Sequence, residues 1–118
     1  MFRCWCVVLK VEFAVGSSEV DPQYNDSFKG MADYMKEHPA YVGTIEGNAD
    51  ATGSDKLNLD LSIKRAESVK KYLVDNYGIP ADRLNTRGMG KRRPINSNDT
   101  PEGRAANRYA VQVICEPQ

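Results

Sequence analysis

The chain has 118 residues, of which 41% are hydrophobic and 27% charged, and its 16 basic and 16 acidic side chains give a formal net charge of zero. That length supports one two-layer core rather than two domains, and the composition is that of a globular domain rather than a disordered segment. Zero net charge argues against an electrostatic grip on nucleic acid, and the absence of any run of about 18 apolar residues excludes a membrane-spanning helix from the sequence pattern.

In chain order, Met1–Leu9 is too short for a secretory signal and lacks a small-residue cleavage site. An export signal would therefore lie outside this stretch. The expectation is a domain cut from a longer chain, with residues 1–6 as an added or disordered leader and 7–118 as the domain. Val7, Leu9, Val11 and Phe13 alternate with Val8, Lys10 and Glu12, the period-two pattern of a strand with one buried face. After the break at Gly16-Ser17-Ser18, Asp21-Pro22 supplies a helix cap with proline in the first turn. Tyr24, Phe28, Met31 and Met35 then recur at helical spacing as a core stripe, and Pro39 ends the helix at His38.

Tyr41–Gly47 predicts a second strand, and the Gly, Ser and Asp that follow predict a turn. A long helix is predicted over about 56–76, with Leu57, Leu61, Ala66, Val69 and Leu73 facing inward and Gly78 as its stop signal. Pro80 begins a turn, Arg83–Gly88 reads as a third strand, and a loop rich in Gly, Pro, Asn and basic residues runs over 89–99. Thr100-Pro101-Glu102 caps a further helical turn reaching Asn107, and Tyr109, Val111, Val113 and Cys115 alternate with Ala110, Gln112 and Ile114 as a last strand. Strands alternating with helices predict an α/β layered fold, with the sheet covered mainly on one side.

Charge is unevenly divided between the two halves. Residues 1–60 carry 5 Lys/Arg and 10 Asp/Glu, whereas 61–118 carry 11 and 6, so opposite charges of −5 and +5 meet when the chain folds. Three cysteines, Cys4, Cys6 and Cys115, have neither an even count nor metal-ligand spacing. Buried free thiols or a bond from Cys115 to Cys4 or Cys6 are both compatible with them. No metal or cofactor is expected. Gly88-Met89-Gly90-Lys91 lacks the complete phosphate-loop pattern, and Lys91-Arg92-Arg93 has no interleaved aromatics, so it reads as a solvated loop. His38 has no catalytic companions.

The candidate site lies around Gly47–Ala66. Asp50 leaves the second strand, and Asn58 and Arg65, seven residues apart, return to nearly the same helix side, with Leu61 and Ser62 between them. Opposite charges with converging donors and acceptors suit a small zwitterion, and the expected geometry has Asp50 and Arg65 looking into a shared hollow. The structural alternative is that the two simply pair with each other.

The spacing G-x-x-D-x-x-G-x-x-x-x-N-x-x-L-S-x-x-R-A-x-x-V, filled by Gly47, Asp50, Gly53, Asn58, Leu61, Ser62, Arg65, Ala66 and Val69, resembles the OmpA-like peptidoglycan-binding domain. Gly78-Ile79, Arg83-Leu84, Gly88, Gly90, Pro94-Ile95, Gly103-Arg104-Ala105 and Asn107-Arg108 continue the resemblance in order, so that it covers about 7–115. It implies an α+β fold with a β-α-β-α-β-β mixed sheet, helices mainly on one face and an extra short helix. It also implies a non-catalytic module that binds peptidoglycan through the meso-diaminopimelate of the stem peptide. Asp50 would take the ammonium and Arg65 the carboxylate, with Thr52, Asn58 and Arg108 in support.

The resemblance further implies periplasmic localisation as part of an outer-membrane porin, a lipoprotein or a flagellar stator component, touching a membrane only through other parts of the parent protein. A homodimer is left open. The sequence departs from the family pattern at Asn48-Ala49, where His-Thr is usual, at Tyr109, where a second arginine is usual, and at Phe13-Ala14-Val15-Gly16, where an acidic residue is common. Rival readings are a protein-interaction or dimerisation face and a small wall-acting enzyme. The enzyme is disfavoured by the lack of a nucleophile, a second placed carboxylate or a metal cluster.

Overall fold

The computed structural model describes the backbone of residues 6–50, 53–91 and 98–115, and side chains over 9–50, 53–91 and 98–110. The order of elements is β1 (Cys6–Glu12), α1 (Asn25–Glu37), β2 (Gly43–Gly47), α2 (Asp55–Tyr77), β3 (Leu84–Gly88), α3 (Pro101–Asn107) and β4 (Tyr109–Cys115). The sheet order is β1-β4-β2-β3. β4 lies between β1 and β2, antiparallel to both, while β2 and β3 run parallel across the α2 crossover. The helices pack on one face, α2 against β2, β3 and β4 and α1 against β1.

The alternating residues Leu9, Val11 and Phe13 are buried, as the period of two requires, and Ile45 and Ala110 join them under the helices. Phe28, Met31 and Met35 fill the facing stripe of α1. The Asp21-Pro22 signal forms a separate 3-10 turn over Pro22–Tyr24, in which the Asp21 carboxylate accepts from the Gln23 N–H at 2.9 Å, and α1 proper begins at Asn25. Ser54 caps α2 by accepting from the Leu57 N–H, and Gly78, at φ 70°, ends it. Thr100 caps α3 by accepting from the Gly103 N–H.

Two expectations are corrected. Arg83 precedes β3 in a 3-10 turn rather than opening the strand, and its guanidinium donates to the carbonyls of Met35, His38 and Tyr41. Leu57 is 65% exposed and Leu61 only half-buried, so the inward row of α2 is Asn58, Ser62, Arg65, Ala66, Val69 and Leu73. Aliphatic residues outweigh polar ones in a periodicity argument, yet the first turns of α2 turn their polar edge to the sheet. The reason lies in the strands beneath. A Cβ on Gly47 would sit 1.8 Å from the Ser62 carbonyl oxygen, and one on Gly88 would sit 2.3 Å from Ile63 Cγ1. Bare backbone at both positions lets the helix settle onto the sheet with only the small Ser62 between.

The terminal strands are neighbours, with Cys6 opposite Cys115 in the register. Their side chains, Cys4, Thr52, the Arg92-Arg93 part of the basic run and Pro94-Ile95 lie outside the described residues.

Candidate functional site

Four segments converge at the ends of β1 and β2. The ladder of β2 continues past the strand, because the Asn48 N–H donates to the Tyr109 carbonyl at 2.7 Å and the Ala49 N–H to the Gly90 carbonyl at 2.9 Å. This holds Asp50 in place. Ser62 Oγ in turn accepts from the Gly90 N–H at 2.8 Å, tying the exit of β3 to α2. On the other side the Phe13 N–H donates to the Arg108 carbonyl at 2.8 Å, and Arg108 Nε donates back to the Phe13 carbonyl at 3.0 Å. The loop leaving β1 and the junction of α3 with β4 are thus fixed to each other.

Asp50, Asn58, Arg65 and Arg108 all line one cavity of about 370 Å³, whose remaining lining is Val15, Gly16, Leu57, Asp60, Leu61 and Lys64. The fifth candidate, Thr52, is not among the described residues. The four described candidates are therefore brought together, but their pairing differs from expectation. Arg108 Nη1 donates to Asp50 Oδ2 at 3.1 Å, an ion pair with side chains only 14% and 8% exposed. Arg65 makes no such bond to Asp50. Its Nε, Nη1 and Nη2 donate to the carbonyls of Ser17 (2.9 Å), Asn48 (2.9 Å) and Ala14 (3.1 Å), and the residue is 0% exposed.

Arg65 therefore does not look outward. It forms the enclosed base of the cavity, stacked near the Phe13 ring at 5.4 Å, while Arg108 and Asp50 stand closer to solvent. Burial lowers the Arg65 pKa to about 10; attraction to Asp50 works against that shift and the like charge of Arg108 adds to it. Three of its five N–H groups are engaged by carbonyls, leaving one on each terminal nitrogen. Asn58 is 4% exposed, and its Nδ2 is buried with no partner among the described residues. An amide donor lacking an acceptor is costly in a closed site, and an oxygen from a ligand would relieve it.

The cavity lining holds three cations and two carboxylates. Fixed charges of both signs beside the unsatisfied Asn58 Nδ2 donor can orient a small group that itself carries both charges. Among the described residues no group of three His, Cys, Asp or Glu could hold a metal ion. Sequence reasoning missed the carbonyls of Ala14, Ser17 and Asn48, which carry no side-chain signature. It also missed Val15, Asp60 and Lys64 at the cavity, of which Lys64 and Asp60 were legible as neighbours of the Asn58–Arg65 row.

Comparison with known proteins gives a consistent grouping. Over 102 residues the chain is 41% identical to outer membrane porin F of Pseudomonas aeruginosa, covering 86% of this chain and 29% of the porin. It is 43% identical over 99 residues to the peptidoglycan-binding protein ArfA of Mycobacterium tuberculosis, covering 84% of this chain and 30% of that protein. The peptidoglycan-associated lipoprotein from Burkholderia pseudomallei superposes with a TM-score of 0.85 at 32% identity, covering 89% of this chain and 88% of the lipoprotein. The chain thus spans less than a third of the two longer relatives. OmpA-like domains are non-catalytic modules of outer-membrane and periplasmic proteins that attach to peptidoglycan. The OmpA family model matches residues 12–108, and the chain belongs to the OmpA family.

Proposed function

We propose that this domain binds peptidoglycan reversibly, through the meso-diaminopimelate of its stem peptide, and so anchors a larger envelope protein to the wall from the periplasmic side. The observation that carries this reading is the gathering, around a single cavity, of the Asp50 carboxylate, the Arg65 and Arg108 guanidiniums and an Asn58 Nδ2 that has no partner among the described residues. Diaminopimelate ends in a carbon bearing an ammonium and a carboxylate. Asp50 offers the ammonium an anion. Arg108 and the charge of Arg65 beneath it attract the carboxylate, and Asn58 Nδ2 donates to one of its oxygens. Because Arg108 already neutralises Asp50 in part, ligand entry redistributes an existing pair rather than creating charge in a dry site. Thr52 is assigned a supporting contact by its place in the family pattern.

The test is co-sedimentation with insoluble peptidoglycan from walls built with diaminopimelate and from walls built with lysine, which lacks the terminal carboxylate. The domain should sediment with the first and be released by free meso-diaminopimelate, while Asp50→Asn and Arg108→Ala should lose most of this binding and keep cooperative unfolding. Equal retention on both walls, or indifference to the free compound, would overturn the assignment and favour a protein-docking role for the same face.

A further inference from the structure

The polar base of the cavity accounts for a charged head group and leaves the walls unexplained. Val15, in the loop after β1, is 71% exposed, and Leu57, in the first turn of α2, is 65% exposed; both line the cavity together with half-buried Leu61. A single exposed aliphatic residue needs no account. Here residues from two separate elements meet over the same charged base, and none of them belongs to the core cluster. A short zwitterion such as a free amino acid gains nothing from such walls, because its charged groups would already be engaged below. A molecule whose charged head continues into methylene groups can cover those methylenes against Val15, Leu57 and Leu61 while the head reaches Asp50 and Arg108.

We propose that Val15, Leu57 and Leu61 form an aliphatic sleeve around the methylene chain behind the zwitterionic head, and that this sleeve sets the preference for a long-chain diamino diacid over short zwitterions. The inference rests on the reading of the cavity as a zwitterion site and adds to it a means of selection by chain length. It also gives Leu57 a use that the core does not. The charged base supplies orientation, since its charges are fixed in place by backbone bonds, and the sleeve supplies discrimination by area.

The discriminating experiment is NMR titration of the whole chain with meso-diaminopimelate and with glycine, which carries the same head group and no chain. The wild type should bind diaminopimelate more tightly than glycine. The double variant Val15→Ser/Leu57→Gln changes two exposed side chains, so its thermal unfolding should match the wild type. It should lose about tenfold in affinity for diaminopimelate, the effect of exposing one or two methylenes, with no change for glycine. Unchanged affinity for diaminopimelate in the folded variant overturns the sleeve and leaves the head-group reading standing. Equal loss for both compounds also overturns it, because the effect would then act through the charged base. A wild type that binds neither compound overturns both readings together.

Discussion

Arg65 is held by three backbone carbonyls from two loops, an arrangement that makes it a strut as well as a charge. Removing it takes the guanidinium donors from the Ser17 and Asn48 carbonyls, leaves the Ala14 carbonyl with only the Ser17 N–H, and opens a hole between α2 and the β1 exit loop. Arg65→Ala is therefore expected to cost about 3–5 kcal/mol in urea unfolding, the scale of breaking a buried ionic network. Loss of binding in that variant would consequently say little about ligand contact, and Arg108 and Asp50 are the informative positions. A basic group whose pKa is lowered by folding holds its proton less tightly than in the unfolded chain. The resulting cost to stability is constant well below pH 10 and is relieved only as the pH rises past about 10. From about pH 6 to about pH 8 the guanidinium stays charged, so affinity for a carboxylate ligand should be flat over that window. A titration step inside it would assign the anion grip to another group. Asp50, Asn58 and Arg65 were legible in the spacing and Arg108 only through the family resemblance, whereas the partnerships of all four were not. Pairing depends on which guanidinium the backbone carbonyls capture first, and every residue carries the same carbonyl.

At the scale of the element, α2 positions the site because it rests against the strand backbone at Gly47 and Gly88. Gly47 and Gly88 set that distance, since a Cβ at Gly47 would overlap the Ser62 carbonyl and Ala66 N, and one at Gly88 would meet Ile63 and Ser62. Backbone on both sides of the Gly47 contact cannot yield as a flexible side chain does. Gly47→Ala should therefore lower stability by about 3 kcal/mol, at or beyond the usual upper range for overpacking, and weaken ligand binding by moving the helix that carries Asn58. Gly30 provides the control. It lies on the exposed face of α1 with nothing within 4 Å of an added Cβ, so Gly30→Ala should stabilise by about 0.5–1 kcal/mol in the same unfolding assay. The stop at Gly78 and the cap at Thr100 were readable along the chain, whereas Ser54 reads there only as part of a turn and the Asp21-Pro22 cap opens a separate 3-10 turn ahead of α1. Ala66, Val69 and Leu73 face inward as expected, and only in the first turns of α2 does the buried edge fall one residue beyond Leu57 and Leu61. Hydrophobic patterning assumes that buried means apolar, and here the buried edge is Asn58, Ser62 and Arg65 because the site lies beneath it.

Over the whole molecule the charge imbalance between the two halves of the sequence is resolved by contact. Asp50 with Arg108, Asp55 with Lys91 and Glu46 with Arg87 each join a carboxylate from the first sixty residues to a cation from the remainder. With the halves cancelling, no net charge remains to steer a ligand from a distance. Recognition then rests on the few charges at the cavity. Those are largely removed from solvent, and ions in bulk screen them less than they screen surface pairs such as Lys29 with Asp33. Raising the salt concentration from about 0.05 M to about 0.5 M should accordingly weaken diaminopimelate binding by no more than about threefold. In a rapid-mixing experiment the change should fall on dissociation, leaving the association rate nearly constant. Exposed cations such as Lys64 and Lys91 would behave otherwise. If they carried the grip, affinity would drop by more than about tenfold over the same range, through slower association, and the enclosed Asp50–Arg108 pair would no longer be the seat of recognition.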